Sequence, residues 1–343
     1  FGDAAEGAGY PLPDEPFVAA WEGYAADAAR VGVLEALRAR LPQLSFPVAA
    51  GMSETEAYRA ATRRGEWAAA PGVGVRLSRP RELRLLLHPT PAGRIPVLIA
   101  GARDDFEALV RAFTRRNEPE PIPASMGAAM VGGYNNWDRV RQLRAAWEAE
   151  HGPAGWPAAF RETIVPRKEL YQDRFVILGR GAYSATPAAE MGMDAGEWDE
   201  ISLRIRLEHE CAHYFTRRVL GSMKNALHDE LIADSTGMMS ATGEFSAEWQ
   251  LRFLGLEEFP AYRAGGRLEN YRGTPPLSDA AFAVLQSLVV AAVRNLEEVS
   301  AGVAARRDGL AWRAGWVLRL AAQPLEALAA PARFSPAGPL MTS

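Results

Sequence analysis

Apolar residues recur at helical spacing through "EPFVAAWEGYAADAARVGVLEALRARL" (15–41), which predicts a helix ending before Pro42. In "SETEAYRAATRRG" (53–65), Ser53 and Glu56 match a capping box that opens a second helix, and Gly65 ends it. Two short runs rich in branched residues, "ELRLLLH" and "IPVLIAG", read as strands joined by the turn "PTPAGR". Asp104 or Asp105 then caps the helix "FEALVRAFTRR". From 119 to 156 the pattern dissolves into glycines and prolines, which predict loops, with Tyr134, Asn135, Asn136 and Trp137 clustered at the start of a helix.

Beyond 170 the periodicity sharpens. "YQDRFVILGRG" is a strand closed by glycines, and Asp194 with Glu197 opens a long helix that runs to a C-terminal cap at Gly221. A second helix is expected over roughly 225 to 240. Past Pro275 and Pro276 the chain reads as helical, and the tail after Pro331 is expected to be poorly ordered. The alternation predicts an α+β protein with an N-terminal α/β region over 1–120, a core over 121–275 and a helical subdomain over 276–343.

Composition narrows the classes of function. With 48% apolar and 23% charged residues the chain is globular, and a net charge of −4 leaves no basic field for nucleic acid. One cysteine, Cys211, excludes an internal disulfide framework and suits a reducing, cytoplasmic setting. "AAFAVLQSLVVAAV" (280–293) is 14 residues long and closes at Arg294, so it predicts a buried helix rather than a membrane span. The first residues have neither a basic nor an apolar region of the secretory kind. "MVGGY" and "GRGAY" lack the full spacing of a phosphate-binding glycine loop.

The stretch "LEHECAHYF" (207–215) carries the candidate chemistry. His209 and His213 stand four apart, so on a helix both imidazoles project from one face and can reach one tetrahedral metal. Glu210 lies beside them, placed to take a proton from a metal-bound water. Cys211 points to another side of that helix and reads as a small core residue. A catalytic zinc needs a third protein ligand. From His213 the helix rises about 12 Å to Gly221, and a returning helix brings Glu230 back to the level of the histidines. His228 and Asp229 compete for the same role, since one helical turn cannot aim all three at one ion.

"HECAH" followed by "DELIAD" resembles the gluzincin branch of the zincin metallopeptidases. The resemblance implies one zinc per chain bound by His209, His213 and Glu230, with Glu210 as general base and Asp234 supporting a zinc-bound histidine. It also implies that the strand at 171–179 is an edge strand aligning an extended substrate. The spacing from His213 to Glu230 is shorter than in familiar gluzincins, and Thr216 stands where the HExxHxxGxxH pattern has glycine. His228, Tyr262 and Tyr271 are candidates for stabilising an oxyanion, and Tyr134, Asn135 and Asn136 for contacting substrate. The expected activity is hydrolysis of a peptide or amide bond. Zinc chemistry on a small molecule, and a zinc-stabilised binding protein without turnover, are the alternatives.

Overall fold

A computed structural model describes residues 9–67, 74–223, 225–302 and 309–330 of the 343. The architecture is α+β, with a four-stranded mixed sheet and many helices. It divides into two compact units, one formed by Asp14–Pro89 and Arg94–Arg180, the other by Phe1–Pro13, Thr90–Gly93 and Gly181–Ser343. The division at 180 differs from the expected boundaries at 120 and 275. The segment 121–180 belongs with the first unit because it supplies two strands of that unit's sheet.

In the first unit the opening helical pattern is split into α1 (Val18–Val31) and α2 (Val33–Arg38) by Gly32, whose φ of 87° no helix accommodates. Helix α3 (Glu56–Arg64) ends at Gly65 as expected, but Thr55 caps it rather than Ser53, its hydroxyl accepting from the Tyr58 amide. The hairpin β1 (Arg84–His88) and β2 (Ile95–Ile99) forms as expected. Helix α4 (Arg103–Thr114) starts from Ala102, and Asp105 is instead buried, accepting from the Ser78 and Arg79 amides.

The glycine-rich stretch expected as loop contains strand β3 (Ala128–Asn135), bulged at Gly133 with φ of 70°. After it come α5 (Trp137–His151) and β4 (Gln172–Leu178), in the sheet order β1-β2-β4-β3. Strand β4 therefore pairs on both sides, parallel with β2 and antiparallel with β3, and is not the edge strand expected from the resemblance. Its side chains Phe175 and Ile177 sit in a core with Trp21, Tyr24, Phe106 and Leu109.

The second unit is helical. Helix α6 (Ala195–Leu220) starts at Asp194, whose carboxylate accepts from the Glu197 amide, and closes at Gly221. Helix α7 (Ala226–Thr242), capped by Asn225, returns along it, followed by α8 (Ala247–Leu254), α9 (Asp279–Gly302), α10 (Leu310–Ala321) and α11 (Leu325–Leu328). The apolar stretch at 280–293 does not stop at Arg294 but lies inside the 24-residue α9. Among the described residues, Asp279–Ala301 alone is long and apolar enough to cross a membrane by length and composition, with a mean hydropathy of 1.3. One stripe of it, Phe282, Gln286, Val289, Val293 and Leu296, is buried, and α9 packs on α8 and α11. The expected disorder of the tail after Pro331 lies outside the described residues.

Helices α6 and α7 pack along each other, and Gly237 lies at a close approach between them. A methyl group there would stand 2.6 Å from the Ile205 carbonyl oxygen. Alanine ordinarily gains about 1 kcal/mol over glycine in a helix, but overpacking costs about 1–3 kcal/mol. Gly237→Ala should therefore lower the urea midpoint of unfolding; an unchanged or higher midpoint would show that the helices are not held at this contact.

Candidate metal centre

One turn of α6 separates His209 from His213, and both rings are buried on the side facing α7. Their Nε2 atoms lie 3.0 Å apart. Glu230 of α7 faces the same point, its Oε1 3.4 Å from His213 Nε2 and its Oε2 3.6 Å from His209 Nε2. A tetrahedral ion with bonds of about 2.0–2.2 Å holds its ligand atoms about 3.3–3.6 Å apart; both contacts to Glu230 match that spacing, and the two Nε2 atoms stand closer than it. All three ligand atoms fall within 4.8 Å of one another.

Each histidine is backed by a carboxylate on its other nitrogen. His209 Nδ1 lies 2.9 Å from Asp234 Oδ1, and His213 Nδ1 lies 2.9 Å from Asp229 Oδ2. Asp229 also accepts from the Thr216 hydroxyl at 3.2 Å. Carboxylates at both Nδ1 atoms favour the Nδ1–H tautomer and leave the Nε2 lone pairs converging on one point. Asp234 has no exposed surface, and it also receives the Tyr183 hydroxyl at 2.6 Å, the Gln250 amide at 2.8 Å and the Arg267 guanidinium.

The structure thus brings His209, His213, Glu230 and Asp234 together and sorts the rivals for the third position. Asp229 stands behind His213 rather than beside Glu230. His228 is buried near the Leu320 backbone of α10 and is not one of the side chains grouped with the histidine pair. Glu210 is half-buried and has no hydrogen-bond or ion-pair partner among the described residues. Tyr271 lies near Glu230, and burial followed by that negative charge pushes its hydroxyl up, so it remains a donor. Tyr262 closes a local turn instead, donating to the Gly266 carbonyl at 2.7 Å and accepting from the Glu269 amide.

Tyr134, Asn135 and Asn136 belong to the other unit. The Tyr134 hydroxyl donates to Gln43, Asn135 accepts from Gln172, and the buried Asn136 caps α5 while donating to Asp173 at 2.6 Å. These bonds give each of them a structural role within that unit. Cys211 is buried beside Ala212, Phe215 and Val317 as a core residue, and burial raises its thiol pKa. Tyr183, Gln250 and Arg267 escaped the sequence reading because no local motif marks them.

Electrostatically the pair is asymmetric. Burial, and then the neighbouring His213, push His209 down to about 4. Burial opposes the charge on His213 too, but hydrogen bonds to Asp229 and Glu230 outweigh it and lift this residue to about 10. Glu230, which burial alone would raise, is held at about 2 by the two imidazoles. The stabilisation from His213 is full below the unfolded value near 6.5 and fades as pH rises toward 10; that from His209 is full above 6.5 and fades as pH falls toward 4. For metal-free protein in chelator, the unfolding free energy of wild type minus that of His209→Ala/His213→Ala should peak near pH 6.5. A difference that rises or falls steadily from pH 5 to 9 would contradict this pairing.

A family model described as a family of unknown function, DUF7005, matches residues 3–332. No curated protein and no solved structure matches the chain.

Proposed function

The chain belongs to DUF7005, and for this member we propose the function of a zinc-dependent hydrolase that cleaves an amide or peptide bond, built on a gluzincin-like helix pair. The observation that carries the reading is the convergence of two imidazole Nε2 atoms and one carboxylate, with each imidazole backed by its own carboxylate at Nδ1. Metal-binding histidines characteristically have such partners, which fix their tautomer and raise their basicity. A zinc ion held by His209, His213 and Glu230 would lower the pKa of water and polarise a carbonyl.

The other residues then take defined duties. Glu210 accepts the proton of the attacking water and returns it to the leaving amine, a role that suits a half-buried carboxylate without an ion-pair partner. Such a carboxylate also supports turnover over a purely binding role, since Glu210 is not among the three grouped ligand atoms. Asp234 and Asp229 hold the imidazoles in register. The Tyr271 hydroxyl, a permanent donor beside Glu230, orients that carboxylate and offers a hydrogen bond to a developing oxyanion.

Metal analysis of protein purified without chelator should find about one zinc per chain. Glu210→Gln should retain that zinc and lose about 100-fold or more in hydrolysis of whichever fluorogenic peptide or small amide the wild type cleaves, the usual size of a lost general base. Absence of zinc from the wild type, or full activity in Glu210→Gln, would overturn the reading.

A further inference from the structure

We infer that Tyr183 is a positioning residue that fixes the aim of His209 by holding both Asp234 and the ring at Nδ1. This deepens the proposed metal site and rests on that reading for its effect on metal affinity; its effect on the His209 ring stands without it. Tyr183 is buried, and its hydroxyl makes a tight triangle, donating to Asp234 Oδ1 at 2.6 Å while lying 2.9 Å from His209 Nδ1. With its proton directed to the aspartate, the tyrosine oxygen turns lone pairs toward Nδ1. Both oxygens near Nδ1 are then acceptors, so Nδ1 must carry the hydrogen and Nε2 keeps its lone pair.

The chain before and after Tyr183 is fastened so that this hydroxyl has one place to go. Asp199, Ser202, Arg206, His209 and His213 recur along α6 at helical spacing. Asp199 accepts from the Gly181 amide at 2.8 Å, Ser202 accepts from the Tyr183 amide at 2.9 Å, and Arg206 donates to the Gly181 and Ala182 carbonyls. The histidine-bearing helix therefore also holds the segment that delivers the tyrosine. Immediately after it, Ser184 and Ala185 adopt left-handed φ of 52° and 57°, a conformation side chains disfavour and that persists where the surroundings impose it. Ser184 is tied down by a bond from its hydroxyl to the Phe253 carbonyl at 3.3 Å. Phe253 also meets the tyrosine ring edge-on at 5.2 Å between centroids.

The support of the two histidines is unequal. Behind His213 stands Asp229, whose side chain is 17% exposed and whose further partner is the Thr216 hydroxyl. Behind His209 stands a carboxylate with no exposed surface and three further donors, of which only Tyr183 also touches the imidazole. Tyr183→Phe removes that oxygen and leaves the ring packing in place.

Long-range 15N NMR of metal-free protein reads both ring nitrogens of His209. Wild-type His209 should be the Nδ1–H form with a slowly exchanging Nδ1 proton; in Tyr183→Phe, with Asp234 still accepting from Nδ1, the same tautomer should persist and that proton should exchange faster. Cobalt titration should show about tenfold weaker binding in the variant, as for loss of other outer partners of metal-bound histidines. An unchanged Nδ1 proton exchange rate in Tyr183→Phe overturns the inference. If Tyr183→Phe fails to fold, Ser202→Ala, which loosens the tyrosine backbone, is read in the same way against the same criterion. Faster exchange in a protein whose wild type takes up no cobalt would support the role of Tyr183 while refuting the hydrolase; cobalt uptake with unchanged exchange would do the reverse.

Discussion

The carboxylate of Asp234 has no exposed surface, and a buried charge left unpaired costs several kcal/mol. It is satisfied by four groups from four other places in the chain: His209 of α6, Tyr183 from the segment before it, Gln250 of α8 and Arg267 from a turn beyond. Removing any one leaves the charge short of a partner, so these segments are held to a common point by one requirement. The site geometry follows from it. Once His209 is pinned at Nδ1, its Nε2 must face His213 and Glu230, which lie one turn along each helix.

The first unit meets the same requirement differently. There Asp173 of β4 is fully buried, bonded to Arg139 at 2.6 Å, Asn136 at 2.6 Å and Trp21 at 2.8 Å. That network ties α1, the start of α5 and the central strand together. The polar cluster around Asn136 thereby has a role in folding.

How much of this could be read from sequence depended on whether the signal was local. The two histidines and Glu210 were legible because helical spacing alone places them, and the return of Glu230 to their level followed from helix rise and the stop at Gly221. The place of Asp229 behind His213 was not legible. Adjacent helical positions differ by about 100° in direction, and which of them faces α6 depends on how the two helices pack, a long-range choice. Tyr183 and Arg267 lie 51 and 33 positions from Asp234, and nothing short in the sequence joins them. Strand β3 was hidden because Gly132 and Gly133 spoil its alternation. The edge assignment of β4 failed because the parallel pairing with β2 is a long-range choice that its own residues do not announce.

The most direct measurement of the central claim is an anomalous difference map at the zinc edge from crystals of zinc-loaded protein. One strong peak is predicted, about 2.0–2.2 Å from Nε2 of His209, Nε2 of His213 and the carboxylate of Glu230. A map without a peak there, or with zinc held by other residues, would contradict the claim that these three side chains form a metal centre.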